Sequence, residues 1–97
     1  MRHEAATVLE LSRAAELSVL PGETLTRLAR EMERHELGPG QELDAGELYA
    51  VVLSGLVSGE AGVLHPGDRA EGRVRAVMPS AVASCTQDVY DRVVAGA

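Results

Sequence analysis

The chain has 97 residues, a net charge of −6 and a single cysteine. That length leaves room for one hydrophobic core, so we expect one domain over residues 1–97. The acidic balance argues against DNA or RNA as a partner, because nucleic-acid binders usually present a basic patch. No apolar run approaches the roughly 20 residues that cross a bilayer, so no membrane partner is expected. Lone Cys85 cannot form an internal disulfide, which is typical of a reducing compartment, and we expect a cytoplasmic protein.

Two amphipathic helices are expected in a helical segment over residues 4–35. In residues 4–17, Val8, Leu11 and Ala15 recur at positions i, i+3 and i+7. In residues 23–35, the apolar stripe has full helical spacing and is formed by Leu25, Leu28, Ala29 and Met32. His35 is then expected near a helix C-terminus, where a cation is favoured.

The periodicity changes after residue 35, and a β-rich region is expected over residues 36–85. Gly38-Pro39-Gly40 cannot continue a helix and forces a corner. Short strands are predicted at residues 41–43, 48–54 and 56–58, and another at 81–84. A hairpin loop is expected at 59–62, residues 63–64 lead into a second corner, and residues 73–78 have a weak period-two pattern. The nearly continuous apolar run over residues 49–53 is typical of a strand covered on both faces.

A short C-terminal helix is expected over residues 86–96. Thr86 precedes the helical pattern as a cap, Asp88 lies in the first turn, Arg92 lies in the last turn, and Gly96 follows the end. The predicted fold class is therefore α+β, mainly β, with two N-terminal helices and one short C-terminal helix.

Three fragments in a fixed order resemble the β-roll of cyclic-nucleotide-binding domains. They are Leu37-Gly38-Pro39-Gly40, then Tyr49-Ala50-Val51-Val52-Leu53-Ser54-Gly55, then Leu64-His65-Pro66-Gly67-Asp68. The family's corresponding fragments read Leu-x-Pro-Gly, Tyr-Val-Val-Leu-x-Gly and Leu-x-Pro-Gly-Asp. The resemblance covers residues 17–94 and implies a jelly-roll-like β-roll of the catabolite activator protein type, flanked by helices.

The family's ligand site is the part that this sequence shortens. In the family, a glutamate of a Phe-Gly-Glu-Leu-Ala-Leu loop holds the ribose, and an arginine pairs with the cyclic phosphate. Here Asp68 is followed only by Arg69-Ala70-Glu71-Gly72-Arg73 before Val74-Arg75-Ala76. If Val74 and Ala76 match the family's Val-x-Ala, the phosphate arginine falls on Ala70 and the Gly-Glu-Leu segment is missing. The sequence therefore argues against cyclic-nucleotide binding, and no cofactor is expected.

One charged cluster remains as a candidate ligand-binding site, formed by Arg69, Glu71, Arg73 and Arg75. On a strand, Arg73 and Arg75 share a face. Either the cluster is an exposed strand face with Glu71 as the acidic partner, or it contacts an anion or an acidic partner in place of the missing loop.

Catalytic and metal-binding alternatives find less support. His3, His35, His65 and Cys85 lack the paired spacing of metal ligands, so no metal site is expected. Cys85 lies beside small residues and is expected to be a packed apolar side chain rather than a nucleophile. Because no acid–base pair can be named, the chain is predicted not to be an enzyme.

These observations predict a non-catalytic binding module: a shortened cyclic-nucleotide-binding-like domain acting as a protein–protein interaction, regulatory or assembly subunit. Small domains are often completed by association, so a protein partner or a homo-oligomer is expected, with the first helix as a candidate surface. Only three residues follow Val94, so the DNA-reading module of the family's transcription factors is not expected. The alternative is a small-molecule sensor that binds a cyclic nucleotide or another anion through Arg69, Arg73 or Arg75.

Overall fold

Three helices and seven strands make up the protein in a computed structural model that describes residues 3–14 and 16–96. The helices are α1 (His3–Leu11), α2 (Gly22–Glu31) and α3 (Gln87–Ala95). The strands are β1 (Glu33–Leu37), β2 (Glu42–Asp44), β3 (Tyr49–Ser54), β4 (Val57–Gly59), β5 (Gly62–Leu64), β6 (Arg73–Ala76) and β7 (Ser80–Cys85). This is the α+β, mainly β class that the sequence predicts.

Two antiparallel sheets form the roll. The first has the strand order β1-β7-β3, and the second has the order β2-β6-β4-β5. Tyr49, Val51 and Leu53 on β3 face the helices, whereas Ala50 and Val52 face the second sheet. Both faces of β3 are therefore covered, which confirms the expectation drawn from its continuous apolar run.

The first helix ends earlier than predicted, at Leu11 rather than residue 17. Beyond it the backbone continues in tight turns, with Ala14 N donating to Leu11 O and Leu17 N donating to Ala14 O, both at 3.0 Å. Leu11, Ala14 and Leu17 are all fully buried. Their spacing of three residues matches these three-residue turns, in which positions i and i+3 eclipse, better than an α-helix. Ala15, part of the predicted stripe, lies outside the described residues.

The second helix was also predicted too long, because residues 33–35 belong to β1 and not to a helix. Met32 already has extended backbone angles, with φ −88° and ψ 144°. The next five residues pair with β7, from Glu33 opposite Ser84 to Leu37 opposite Ser80. The charged residues of this edge strand give no strand signal in the sequence. Pairing with β7 makes these residues extended and overrides the local helical pattern. The helical segment consequently ends before residue 35.

The C-terminal helix agrees with its predicted capping. Thr86 Oγ1 accepts a hydrogen bond from Val89 N at 3.2 Å, and Gly96 is the C-cap residue. In the described part of the chain, no helix is long and apolar enough to span a membrane.

Candidate functional site

The segment between β5 and β6, residues 65–72, is where the sequence predicts a shortened ligand loop. All eight residues are described, and none is helical. Val52 N donates to Asp68 O at 2.9 Å, and Ala70 N donates to Ala50 O at 2.9 Å. Arg69 forms an isolated antiparallel bridge with Val51. The segment therefore runs along the outer edge of β3 as an irregular strand that closes the first sheet.

Four amides of this segment are already used inside the protein. His65 N donates to Asp68 Oδ2 at 2.8 Å, and Asp68 N donates back to His65 O at 3.0 Å. Gly67 N donates to Val52 O at 2.8 Å, in addition to the Ala70 bond. A phosphate cradle needs several backbone N–H groups that converge on one anion. These four amides are engaged with protein oxygens and are not available to a phosphate.

Arg69 lies against the helical side of the roll. Its guanidinium carbon is 4.6 Å from the ring centroid of Tyr49, and its Nε is 3.9 Å from Glu16 Oε1. The Tyr49 hydroxyl donates to the same Glu16 oxygen at 2.5 Å. On β3, Tyr49 also stacks on Tyr90 of α3, with ring centroids 3.8 Å apart. An aromatic face and a carboxylate therefore hold the Arg69 cation in place.

Burial fixes the protonation state of the phenol in this arrangement. Burial raises the pKa of Tyr49 well above its usual range, and the hydrogen bond to Glu16 raises this pKa further. Tyr49 therefore stays neutral and acts as the hydrogen-bond donor to Glu16.

A small cavity of about 170 Å³ lies between the β4–β5 hairpin and residues 69–71. Its lining residues are Gly59, Glu60, Ala61, Leu64, Arg69 and Glu71. Pockets for small organic ligands usually measure roughly 300–1,000 Å³. The cavity is below that range, and two of its three charged lining residues are acidic, so its size and charge both disfavour a nucleotide phosphate.

The structure divides the predicted charged cluster between two places. Arg69 and Glu71 line the small cavity, whereas Arg73 and Arg75 lie on the exposed face of β6, opposite buried Val74. The two β6 arginines thus share a face, as the period-two pattern predicts. They point away from the roll interior, so the four residues do not converge on one anion.

The acidic neighbour of the β6 arginines is β2 rather than Glu71. Arg73 Nη1 lies 3.9 Å from Glu42 Oε1, with both side chains largely exposed. In the β2–β6 ladder, Glu42 is opposite Arg75 and Asp44 is opposite Arg73. Opposite charges across neighbouring strands contribute modestly to sheet stability. This arrangement supports the exposed-face interpretation of Arg73 and Arg75.

Sequence reasoning missed the contacts of β1, because it placed those residues on a helix. Arg34 Nη1 is 2.7 Å from Glu10 Oε1 on α1, and Arg34 Nε is 2.7 Å from Glu36 Oε1. These bonds, the Glu10 bond foremost, raise the pKa of Arg34 above its usual value. His35 does not lie at a helix C-terminus, and its Nε2 is instead 2.8 Å from Ser84 Oγ. An alternation of apolar and polar residues would have identified β1 as a strand. The charged residues of this edge strand do not show that alternation.

Neither potential nucleophile is placed for catalysis. Ser84 lies beside His35 but is only 4% exposed, so a substrate has no access to its hydroxyl. Burial raises the pKa of the Cys85 thiol, which disfavours the reactive thiolate. Across residues 3–14 and 16–96, no group of three or more His, Cys, Asp or Glu side chains could hold a metal ion.

Comparison with known proteins supports the fold. No protein-family model matches the chain, and no curated protein matches it. A cyclic nucleotide-binding-like protein from Brucella abortus matches with a TM-score of 0.64 and 17% identity, over 92% of this chain and 97% of that one. The chain has a cyclic-nucleotide-binding-like fold.

Other structures with this fold are regulatory domains of larger chains. A protein kinase A regulatory subunit from Trypanosoma cruzi, bound to guanosine, matches with a TM-score of 0.70 and 16% identity over 95% of this chain. The regulatory domain of Toxoplasma gondii protein kinase A, with cAMP, matches with a TM-score of 0.72 and 16% identity over 94% of this chain. The chain spans only 41% and 44% of these two proteins. These neighbours are regulatory rather than catalytic, and the jelly-roll-like β-roll expected from the sequence is confirmed.

Proposed function

We propose that the chain is a non-catalytic binding module that acts through protein–protein contact, as a regulatory or assembly subunit, and that it does not bind a cyclic nucleotide. The observation that carries the proposal is the use of residues 65–72 as an edge strand. Four of their amides bond to β3 or within their own turn, so the β3 edge is closed without a ligand in that place.

Charge and size support the same proposal. The single arginine of the small cavity is already held by Tyr49 and Glu16, and Glu60 and Glu71 flank it. A phosphate entering there would approach the carboxylates of Glu60 and Glu71 and would compete with Glu16 for Arg69. Desolvating a phosphate without several dedicated donors is unfavourable, so the cavity is a poor anion site.

The buried side chains of the N-terminal segment cannot serve as the partner surface. Leu11, Ala14 and Leu17 of the N-terminal segment are fully buried in the core. Deleting residues up to 16 would remove core side chains and unfold the module, so loss of association after that truncation would not identify a surface. A protein partner or a second copy must instead use exposed side chains and edges of the folded roll. We expect this to happen in the cytoplasm, because Cys85 is a buried free thiol.

An alternative function, sensing of an anionic small molecule, is favoured by one observation. Arg75 is exposed on β6, and in the described part of the chain no hydrogen bond or ion pair engages its guanidinium. A free guanidinium is a suitable donor for a phosphate or carboxylate. Arg69 and Arg73 would then be accessory cations.

Titration calorimetry with cyclic AMP, cyclic GMP and cyclic dinucleotides separates the two functions. The proposed function predicts no saturable binding tighter than about 1 mM, equivalent to about −4 kcal/mol. Micromolar binding that is lost in Arg69→Ala, Arg73→Ala or Arg75→Ala would overturn the proposal in favour of the sensor. Leu9→Ala, a change at an exposed α1 residue far from these arginines in sequence, is the control for nonspecific effects.

A further inference from the structure

The two edges of the first sheet differ in how they are closed. The β3 edge is covered by residues 67–70, which hydrogen-bond to Ala50 and Val52. The opposite edge is β1, whose five residues pair with β7 on one side. Within the described residues, the backbone of β1 has no hydrogen bond to any other segment. In an antiparallel pair alternate residues direct their N–H and C=O groups away from the partner, so β1 presents an open edge.

The sequence of this edge, Glu33-Arg34-His35-Glu36-Leu37, is complementary to itself in one antiparallel register. When His35 is opposite His35 of a second copy, Arg34 of each copy is opposite Glu36 of the other. Glu33 is then opposite Leu37. Directly opposed residues in antiparallel strands have Cβ atoms about 4.5–5.5 Å apart, so the two Arg–Glu pairs would be in contact.

Of the two side chains that would pair across the copies, Glu36 is exposed and Arg34 is 20% exposed. Leu37 packs between the two sheets, so alternation directs Arg34 and Glu36 to the helical face. Glu36 is 66% exposed, and Arg34 uses only Nε and Nη1 in its bonds to Glu36, Glu10 and Thr7. The Nη2 donors of Arg34 therefore remain for a carboxylate of a second copy.

We propose that two copies of this chain associate through antiparallel pairing of β1 with β1, centred on His35. The proposed dimer rests on the proposed function, and it identifies the binding module's protein partner as a second copy of the chain. The pairing joins two three-stranded sheets into one six-stranded sheet across a two-fold axis. Charges on an edge strand disfavour pairing with a foreign strand, whereas two copies opposed in this register place Arg34 of each beside Glu36 of the other. The interface is small, so the dimer is weak and depends on concentration.

Sedimentation equilibrium of the purified full chain tests the dimer directly. We expect the average mass to rise from monomer towards dimer as the concentration approaches about 0.5 mM, the range in which weak complexes form. A chain that stays monomeric over that range overturns the dimer. The calorimetric absence of nucleotide binding would then still stand, because it does not depend on self-association.

Glu36→Arg tests the register, because it turns both cross-strand pairs into Arg–Arg contacts. Two reversed pairs should weaken the dimer roughly tenfold or more. Glu33→Arg is the matched control: it makes the same charge change on the same strand, but opposite Leu37, and should alter the dissociation constant less than about threefold. Equal effects of the two changes, or none from Glu36→Arg, would overturn the proposed register.

A charge exchange separates pairing from misfolding. The first chain is the Glu36→Arg variant. The second chain carries Arg34→Glu together with Glu10→Arg, so that position 34 keeps an oppositely charged neighbour on α1. Each altered chain alone should be at least roughly tenfold weaker as a dimer than the native chain. An equimolar mixture should recover native affinity as a heterodimer, because position 34 and position 36 are again complementary across the two copies. Failure of the mixture to associate, with both chains folded by circular dichroism, overturns the proposal.

Discussion

At the scale of single residues, the side chains that look most like ligand contacts are engaged in holding the roll together. Arg69 lies over Tyr49, Tyr49 bonds to Glu16, and Tyr90 of the last helix stacks on the same ring. These four side chains connect the turns after α1, strand β3, residues 65–72 and helix α3. An arginine that resembles a phosphate contact in the sequence is therefore a structural contact between four parts of the chain.

The buried phenol makes stability depend on alkaline pH. Burial raises the pKa of Tyr49 in the folded state, whereas an unfolded tyrosine ionises at about 10. Above pH 10 the unfolded chain binds fewer protons than the folded chain, so the free energy of unfolding falls as pH rises. This residue should contribute a slope of about 1.4 kcal/mol per pH unit.

Urea unfolding of the native chain and Tyr49→Phe between neutral pH and strong alkali measures this slope. We expect Tyr49→Phe to cost about 1 kcal/mol near neutrality, through the lost bond to Glu16, and to decline less steeply above pH 10. Burial also raises the pKa of Cys85, but that contribution is shared by both proteins and cancels in the comparison. Parallel pH profiles would show that the Tyr49 hydroxyl is not held neutral by the fold.

At the scale of elements, one glycine fixes how β3 leaves the first sheet. Gly55 has φ +81°, and a methyl group at this position would overlap Pro79 O and Ser80 Oγ. Ser80 Oγ also donates to Leu56 O at 3.0 Å and accepts from Leu56 N at 3.1 Å. The backbone of β3 thus passes against the start of β7 at the place where the chain crosses to the second sheet.

Gly55→Ala should therefore be far more costly than the same change at another left-handed glycine. We expect a loss of about 3 kcal/mol or more, from strain and backbone displacement together. Gly62→Ala is the control, because Gly62 has φ +119° but nothing within 4 Å of an added methyl, and should cost about 1–2 kcal/mol. Chemical denaturation of both variants gives the comparison, and similar losses would contradict the close approach.

At the scale of the whole molecule, the roll was predicted from a family resemblance that the order of turns and apolar runs carries. The Pro-Gly corners, the run over residues 49–53 and the Thr86 cap are local signals that agree with the tertiary structure. β1 was missed because its charged residues carry a helical pattern, and its strand conformation comes from pairing with β7, distant in sequence. Single-sequence patterns do not encode such long-range pairing.

The candidate site was predictable only in part, for a related reason. The shortening between Asp68 and Val74 is visible in the sequence and agrees with a segment that has no helix. Three features of the site depend on contacts with other strands. The segment closes the β3 edge, Arg69 lies against Tyr49, and Arg73 lies near Glu42. Alternation alone fixed only the shared face of Arg73 and Arg75.

The central claim is that the roll is complete while its phosphate site is absent, and a heteronuclear NMR titration of labelled full chain with cyclic AMP tests it most directly. We predict a dispersed spectrum of a folded protein in which the amides of residues 65–72 do not shift in a saturable way up to about 5 mM nucleotide, well beyond a millimolar dissociation constant. Saturable shifts at Arg69, Glu71 and Gly72, with a micromolar midpoint, would contradict it.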